Sequence, residues 1–162
     1  MNAIAGHVRD WIQRAIDAAP EGHVPLLFLS GPQGAGKSTA LAEAIAALSL
    51  PVAGASIDDF YLTHAERMEL ARQISPLFLT RGPPGTHDLT LLKQTIAALR
   101  KVPPGAATPI PVFDKLADDR APVSDWRSFS GRPAAIVIEG WLMGALPDAG
   151  SAGAAAINAV EA

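Results

Sequence analysis

Residues 31–38 read GPQGAGKS, and this segment limits the possible folds more than any other part of the chain. It matches the pattern G-x-x-x-x-G-K-[ST] of a phosphate-binding loop, in which glycines let successive backbone N–H groups point at one anion. The apolar run at 24–30 predicts a buried strand, and the apolar spacing at 37–48 predicts a helix. The alternative interpretation is a flexible glycine-rich loop that contains a lysine by chance, but such a loop would not require a strand before it and a helix after it. The order of strand, loop and helix therefore predicts an α/β fold with a parallel sheet.

The chemistry of such a loop assigns roles to its residues. The N-terminus of the following helix adds positive partial charge, Lys37 reaches the β- and γ-phosphates, and Ser38 supplies an oxygen to Mg²⁺. Lys37 is therefore a candidate catalytic residue, and Ser38 is a candidate metal ligand. The candidate cofactor-binding residues, which would hold the phosphates, are Gly31, Gln33, Gly34, Ala35, Gly36, Lys37, Ser38 and Thr39.

Acidic side chains follow two further predicted strands. Asp58 and Asp59 end a strand at 52–57, and Glu139 ends a strand at 134–138. Ligands bind beyond the carboxyl ends of parallel strands, where a carboxylate can take a proton from a hydroxyl or help to hold Mg²⁺. Glu139 is predicted to lie in the metal site. A helix cap or a solvated turn is the alternative for the aspartates, one of which could be only structural, and an exposed strand end is the alternative for Glu139.

Further charged residues lie in stretches that show no regular periodicity. Loop cations suit a small anionic substrate, because an arginine can hold a carboxylate with two hydrogen bonds. Ordinary surface charge is the alternative for each of them, and Asp88 could simply cap its helix. The residues are Arg81, His87, Asp88, Asp114, Lys115 and Arg120.

The remaining elements are predicted from apolar spacing and from capping residues. Helices are expected at 4–16, from a capping box at Thr63 to about Gln73, and from Asp88 to the break at 102–105. A short edge strand is expected at 110–113, and 117–133 is expected to be polar and irregular. We treat 1–162 as one domain.

Composition excludes several classes of protein. The 162 residues are 49% hydrophobic and 18% charged, which is typical of a globular chain. Lys and Arg number 13 against 16 Asp and Glu, so a general nucleic-acid or membrane-binding surface is not expected. The chain has no cysteine, and its N-terminus has no hydrophobic signal region. A cytoplasmic protein that acts on a small molecule is the expectation, and its oligomeric state is left open.

Five stretches together resemble the D-glycerate 3-kinase family of P-loop kinases, which is related to uridine and pantothenate kinases. The stretches are SGPQGAGKST, SIDDFYLT, LTRGPPGTHD, PIPVFDK and VIEGWLMGA. The first two are shared by many kinases, whereas RGPPGTHD together with VFDK and EGW is more specific. Pro83 and Leu116 depart from the family pattern, which expects an asparagine and a serine there.

The resemblance implies a P-loop NTPase-type parallel sheet flanked by helices, with ATP and Mg²⁺ as cofactors. It aligns Asp58 with the general base of related kinases and Glu139 with the acid near their metal. The acceptor site that it implies is formed by Asp59, Tyr61, Arg81, His87, Asp88, Asp114 and Lys115.

The family is considerably longer than this chain, and residues 157–162 resemble the start of its later part. We therefore expect an N-terminal portion that lacks the last strands and an arginine-bearing lid. The strand before the phosphate loop would then have an unpaired edge that exposes Leu26, Phe28 and Leu29, with marginal stability or self-association as the consequence.

Three functions are compatible with the sequence. The first is an ATP-dependent kinase that phosphorylates D-glycerate, and the second is a related kinase for uridine, pantothenate or another hydroxyl compound. The third is an ATP-binding module that is inactive because it lacks the lid. A glycerate pocket needs cations, whereas a nucleoside pocket needs stacking aromatic side chains.

Overall fold

A computed structural model describes residues 2–141 and 143 of the chain, so the predicted start of a later part at 157–162 lies outside the described residues. These residues form four α-helices and seven β-strands. The helices are α1 (Ala3–Asp17), α2 (Lys37–Ala46), α3 (His64–Gln73) and α4 (Leu89–Lys101). The strands are β1 (Leu26–Ser30), β2 (Val52–Ser56), β3 (Ala107–Ile110), β4 (Phe113–Asp114), β5 (Asp119–Arg120), β6 (Arg127–Ser130) and β7 (Ala135–Gly140).

The main sheet is parallel and has the strand order β1–β7–β2. The register pairs Leu27 of β1 and Gly54 of β2 with Val137 at the centre of β7. All six residues of β7 are buried, as expected for a parallel strand covered on both faces. The predicted α/β fold with a helix-flanked parallel sheet is confirmed, and all three strands end at the same edge of the sheet.

Successive residues of β7 pack into two separate cores, because side chains alternate between the faces of a strand. Val137 packs with Val8 and Ile12 of α1 and with Leu41 of α2. Ile136 and Ile138 join a second core that contains Leu92 and Leu99 of α4. The sheet is therefore fixed between two helical layers, and its carboxyl edge can hold polar residues in fixed positions.

The structure corrects the sequence prediction between residues 107 and 133. The expected strand at 110–113 is two strands, β3 and β4, separated by Pro111, which has no N–H to donate to a ladder. The stretch expected to be irregular contains β5, a 3₁₀ helix at Val123–Asp125 and β6. β6 pairs antiparallel with β3, and β5 pairs with β4 as a hairpin.

Strand β1 is an edge of the main sheet among the described residues, since its one recorded partner there is β7. Phe28 on this strand is 44% exposed, and Leu26 and Leu29 are half-buried. The expected exposure is therefore found at Phe28 alone, whereas Leu26 and Leu29 pack against the two cores of the sheet. No helix in the described part of the chain is long and apolar enough to cross a membrane.

Candidate active site

The phosphate loop joins β1 to α2 through two residues in the left-handed region. Gly34 and Gly36 both have φ +76°, a conformation that side chains rarely adopt. Gly36 is the N-cap of α2 and places no side chain over the first turn, which leaves the helix N-terminus open to an anion. Lys37 folds back so that its Nζ donates to the Pro32 carbonyl at 2.9 Å. Its ammonium group therefore lies over the loop.

The ends of α2 and β7 meet at a pair of oxygen-bearing side chains. Ser38 Oγ donates to Glu139 Oε1 at 2.7 Å, and Glu139 is only 4% exposed. Both groups are hard oxygen donors, which suit Mg²⁺, and Mg²⁺ in phosphate-transfer sites takes one or two protein ligands together with phosphate oxygens. Within residues 2–141 and 143, no group of three or more His, Asp or Glu side chains could hold a metal. The pair therefore fits a Mg²⁺ ion that is shared with a nucleotide.

Asp58 is presented to the site by a 3₁₀ helix at Ile57–Phe60 that continues directly from β2. Ser56 caps this helix, with its side chain accepting from the Asp58 N–H at 3.3 Å. The carboxylate Oδ2 of Asp58 accepts from Lys115 Nζ at 2.8 Å. Lys115 comes from the β4–β5 hairpin, so two distant segments supply one ion pair.

These groups line one cavity of about 390 Å³ at the carboxyl edge of the sheet. It joins the phosphate loop, the predicted base and three cations, which is what a transfer between a nucleotide and an anionic acceptor requires. The predicted site residues that line it are Gln33, Gly34, Lys37, Ser38, Asp58, Tyr61, Arg81, Lys115 and Glu139.

Asp59, predicted as an acceptor contact, lies outside this cavity lining. Its Oδ2 accepts from the Ser56 N–H at 3.4 Å, which completes a capping box, and from Arg127 Nη2 at 2.7 Å. Burial raises the pKa of Asp59 above its usual value, although the Arg127 charge acts in the opposite direction. Asp59 therefore has the helix-cap contact that the structural alternative predicts.

Tyr61 and His87 form an aromatic stack at the wall of the cavity. Their ring centroids are 4.3 Å apart, and Tyr61 also meets the edge of Phe113 at 5.3 Å. Burial and the nearby negative charge of Asp58 raise the pKa of Tyr61 above its usual value, so its hydroxyl stays protonated. Burial lowers the pKa of His87, which keeps its imidazole neutral near pH 7. Tyr61 lines this cavity, whereas His87 lines a second cavity that shares Gly82 and Trp141 with it.

The other two predicted acceptor residues have structural partners. Asp88 caps α4 by accepting from the Leu91 N–H at 2.8 Å, and it pairs with Arg120 Nη2 at 3.1 Å. Asp114 accepts from the N–H groups of Leu116 and Ala117 in the turn of the β4–β5 hairpin. Neither of them lines the cavity described above.

Sequence analysis missed two residues that build the site. Asp118 accepts from Arg81 and pairs with Arg67 Nη2 at 2.9 Å, and Arg67 is fully buried. Hydrogen bonds from Arg67 and Arg81 hold the pKa of Asp118 below its usual value, against the opposing effect of burial. An arginine on an otherwise polar helix carries no local sign of burial, because its partner is 51 residues away.

Comparison with known proteins places this arrangement in a class. The fold is that of a P-loop kinase, and solved structures of such kinases superpose on the chain. A D-glycerate 3-kinase from Cryptococcus neoformans matches with a TM-score of 0.70 and 25% identity, over 88% of this chain and 53% of that one. The chain belongs to the kinase family that includes D-glycerate 3-kinase, and it aligns with part of its members' length.

Two curated relatives show the extent of the match. The uncharacterized kinase mug58 of Schizosaccharomyces pombe is 41% identical over 138 residues, which are 79% of this chain and 50% of that protein. The chloroplastic D-glycerate 3-kinase of Arabidopsis thaliana is 37% identical over 136 residues, which are 76% of this chain and 30% of that protein. The chain therefore spans half or less of the length of these relatives. No family model matches the sequence.

Proposed function

We propose that the chain is the nucleotide- and acceptor-binding portion of an ATP-dependent kinase that phosphorylates D-glycerate. One observation carries the proposal: Asp58 shares a cavity with the phosphate loop and with the cations Arg81 and Lys115. A D-glycerate 3-kinase among the relatives supports this choice of acceptor.

The reaction follows from where these groups lie. Asp58 accepts the proton of the acceptor hydroxyl. At the same time the hydroxyl oxygen bonds to the γ-phosphorus of ATP, and the bond between that phosphorus and the ADP oxygen breaks. Lys37 and the N–H groups at the start of α2 stabilise the charge on the transferring phosphoryl group. Mg²⁺, held through Ser38 and Glu139, would neutralise phosphate charge when bound. Arg81 and Lys115 hold the acceptor carboxylate.

Asp58→Asn tests the assignment of the base. We expect turnover of D-glycerate to fall about 10²–10⁴-fold, the usual contribution of a general base, with the dissociation constant for Mg–ATP unchanged. Asp125→Asn, at an exposed turn outside the cavity lining, is the matched control and should keep full turnover. Turnover that survives in the Asp58 variant would refute the role of this residue.

Turnover of a panel of acceptors and thermal unfolding with Mg–ATP distinguish two alternative functions. A nucleoside acceptor is favoured by Trp141, which lines the cavity and offers an aromatic face, so uridine and pantothenate belong in the substrate panel. An ATP-binding module without catalysis is the other alternative, since the phosphate loop lines the cavity whichever acceptor is used. Mg–ATP that raises the unfolding temperature without turnover of any acceptor would support the module.

A further inference from the structure

The turn of the β4–β5 hairpin contains a backbone conformation that is unusual for a side-chain-bearing residue. Asp118 has φ +53°, and it is the only described residue other than glycine with a positive φ. Aspartate tolerates this region better than most residues, yet an outlier of this kind persists only where its surroundings hold it. The contacts of the Asp118 carboxylate with Arg67 and Arg81 hold the residue in this conformation.

That carboxylate joins two guanidinium groups. Oδ2 lies 2.9 Å from Arg67 Nη2, and Oδ1 accepts from Arg81 Nη1. Both guanidinium groups also lie near the ring of Phe113, at 5.9 Å for Arg67 and 5.7 Å for Arg81. One buried ring and one carboxylate therefore fix the relative positions of the two arginines.

Arg67 makes this group rigid. Its Nε and Nη1 donate to the carbonyls of Leu62 and Leu79, and its Nη2 donates to the carbonyl of Asp118 itself at 2.6 Å. The guanidinium thereby ties the start of α3, the segment before Arg81 and the hairpin turn to one point. Its side chain is 1% exposed, so water does not compete for these bonds.

Arg81 is the member of the group that reaches the cavity. Its side chain is 32% exposed, and within residues 2–141 and 143 it donates a hydrogen bond from Nη1, one of the five N–H donors of a guanidinium. Arg67, Arg81 and Asp118 together carry one net positive charge, which matches one carboxylate on an acceptor. The His64 ring is a further neighbour of the Asp118 carboxylate, with Nδ1 4.0 Å from Oδ2. A cation that is already oriented also loses less conformational entropy when its ligand binds.

We propose that Asp118 is a positioning residue, which acts through Arg81 to orient that side chain toward the carboxylate of the acceptor. The inference rests on the proposed function for the identity of the acceptor. It makes the β4–β5 hairpin a determinant of specificity, because the same turn presents Lys115 to the cavity.

A double-mutant cycle on the full chain tests the proposal, with D-glycerate binding measured by titration calorimetry in the presence of Mg–ADP. Asp118→Asn is expected to raise the dissociation constant about tenfold, as expected for members of one ion-pair network. In an Arg81→Gln background the same change should have no further effect. Binding of glycerol, which has no carboxylate, should not respond to Asp118→Asn. An equal loss in both backgrounds would overturn the proposal.

The control is Asp119→Asn on the same hairpin. Asp119 accepts from the His64 N–H at 3.0 Å and lies outside the cavity lining, and its amide analogue can keep that bond. Its variant is expected to bind D-glycerate like the wild type. If Asp118→Asn does not fold, Asp118→Glu keeps the charge beside Arg67 but moves it by one methylene, and the same loss is expected.

A readout that needs no acceptor separates this proposal from the proposed function. The Nη–H signals of Arg81 in an NMR spectrum report whether its guanidinium is held. We expect separate Nη–H signals in the wild type, and we expect these signals to merge into one averaged signal in Asp118→Asn. Signals that do not change overturn the positioning role, even if D-glycerate binds. Merging of the signals in a chain that does not bind D-glycerate supports positioning and refutes the proposed acceptor.

Discussion

Asp58 and Asp59 are adjacent acids that have different environments. Consecutive residues of a 3₁₀ helix are separated by about a third of a turn, so neighbouring side chains must point in different directions. Asp58 faces the cavity and Lys115, whereas Asp59 turns back to the Ser56 N–H and to Arg127. The sequence predicts that an acid lies at the end of β2, but the choice between the two depends on how the turn is capped.

Asp59 is predicted to make stability depend on pH. Burial raises the pKa of Asp59 in the folded state, so its stabilising contribution is present below the unfolded value, near 3.8, and is lost as pH rises through the folded value. Relative to Asp59→Asn, the wild type should therefore lose stability as pH increases from about 3 to 7. Urea unfolding of both proteins across this range measures the difference. A wild type that gains on the variant with rising pH would contradict the burial argument.

Helices and strands were predicted correctly where the signal lies in a short stretch of sequence. The strand, loop and helix at 24–48 and the acids at the ends of β2 and β7 follow from short apolar runs and from the parallel arrangement of the strands. The two small antiparallel pairs were not predicted, since β6 reads RSFS and depends on pairing with β3 far away in the chain. The buried Arg67 depends on a contact of the same long-range kind.

Helix α3 offers a test of that long-range contact. Arg67→Met should destabilise the chain by about 3–5 kcal/mol, because it leaves three carbonyls without their buried donor, at about 1–3 kcal/mol for each, and removes one partner of the half-buried Asp118. Arg72→Met on the same helix removes a side chain that is 68% exposed and whose ion-pair partner in the described part of the chain is Glu69, so a change below about 1 kcal/mol is expected. Chemical denaturation of the two variants checks both values. Similar effects for the two arginines would argue against the anchoring role of Arg67.

At the scale of the whole molecule, the main sheet has an asymmetry that bears on association. β7 is covered on both sides by β1 and β2, whereas β1 is paired on one side among the described residues. A strand edge with unpaired N–H and C=O groups and an exposed aromatic side chain is a template for pairing with another chain. Phe28 is an exposed apolar residue on β1. Charged side chains on an edge strand limit association, and Phe28 does not have this effect.

The 162-residue chain is therefore predicted to self-associate through β1. Its weight-average mass in sedimentation experiments should rise with concentration, and Phe28→Lys should shift this rise to higher concentration, since a charge at the edge opposes strand pairing. Ile74→Lys is the matched control, because Ile74 is an exposed apolar residue, 60% accessible, at the end of α3 and away from the edge. If both substitutions suppress association equally, general surface hydrophobicity is responsible rather than the edge. If the wild type stays monomeric throughout, the edge of β1 does not drive association.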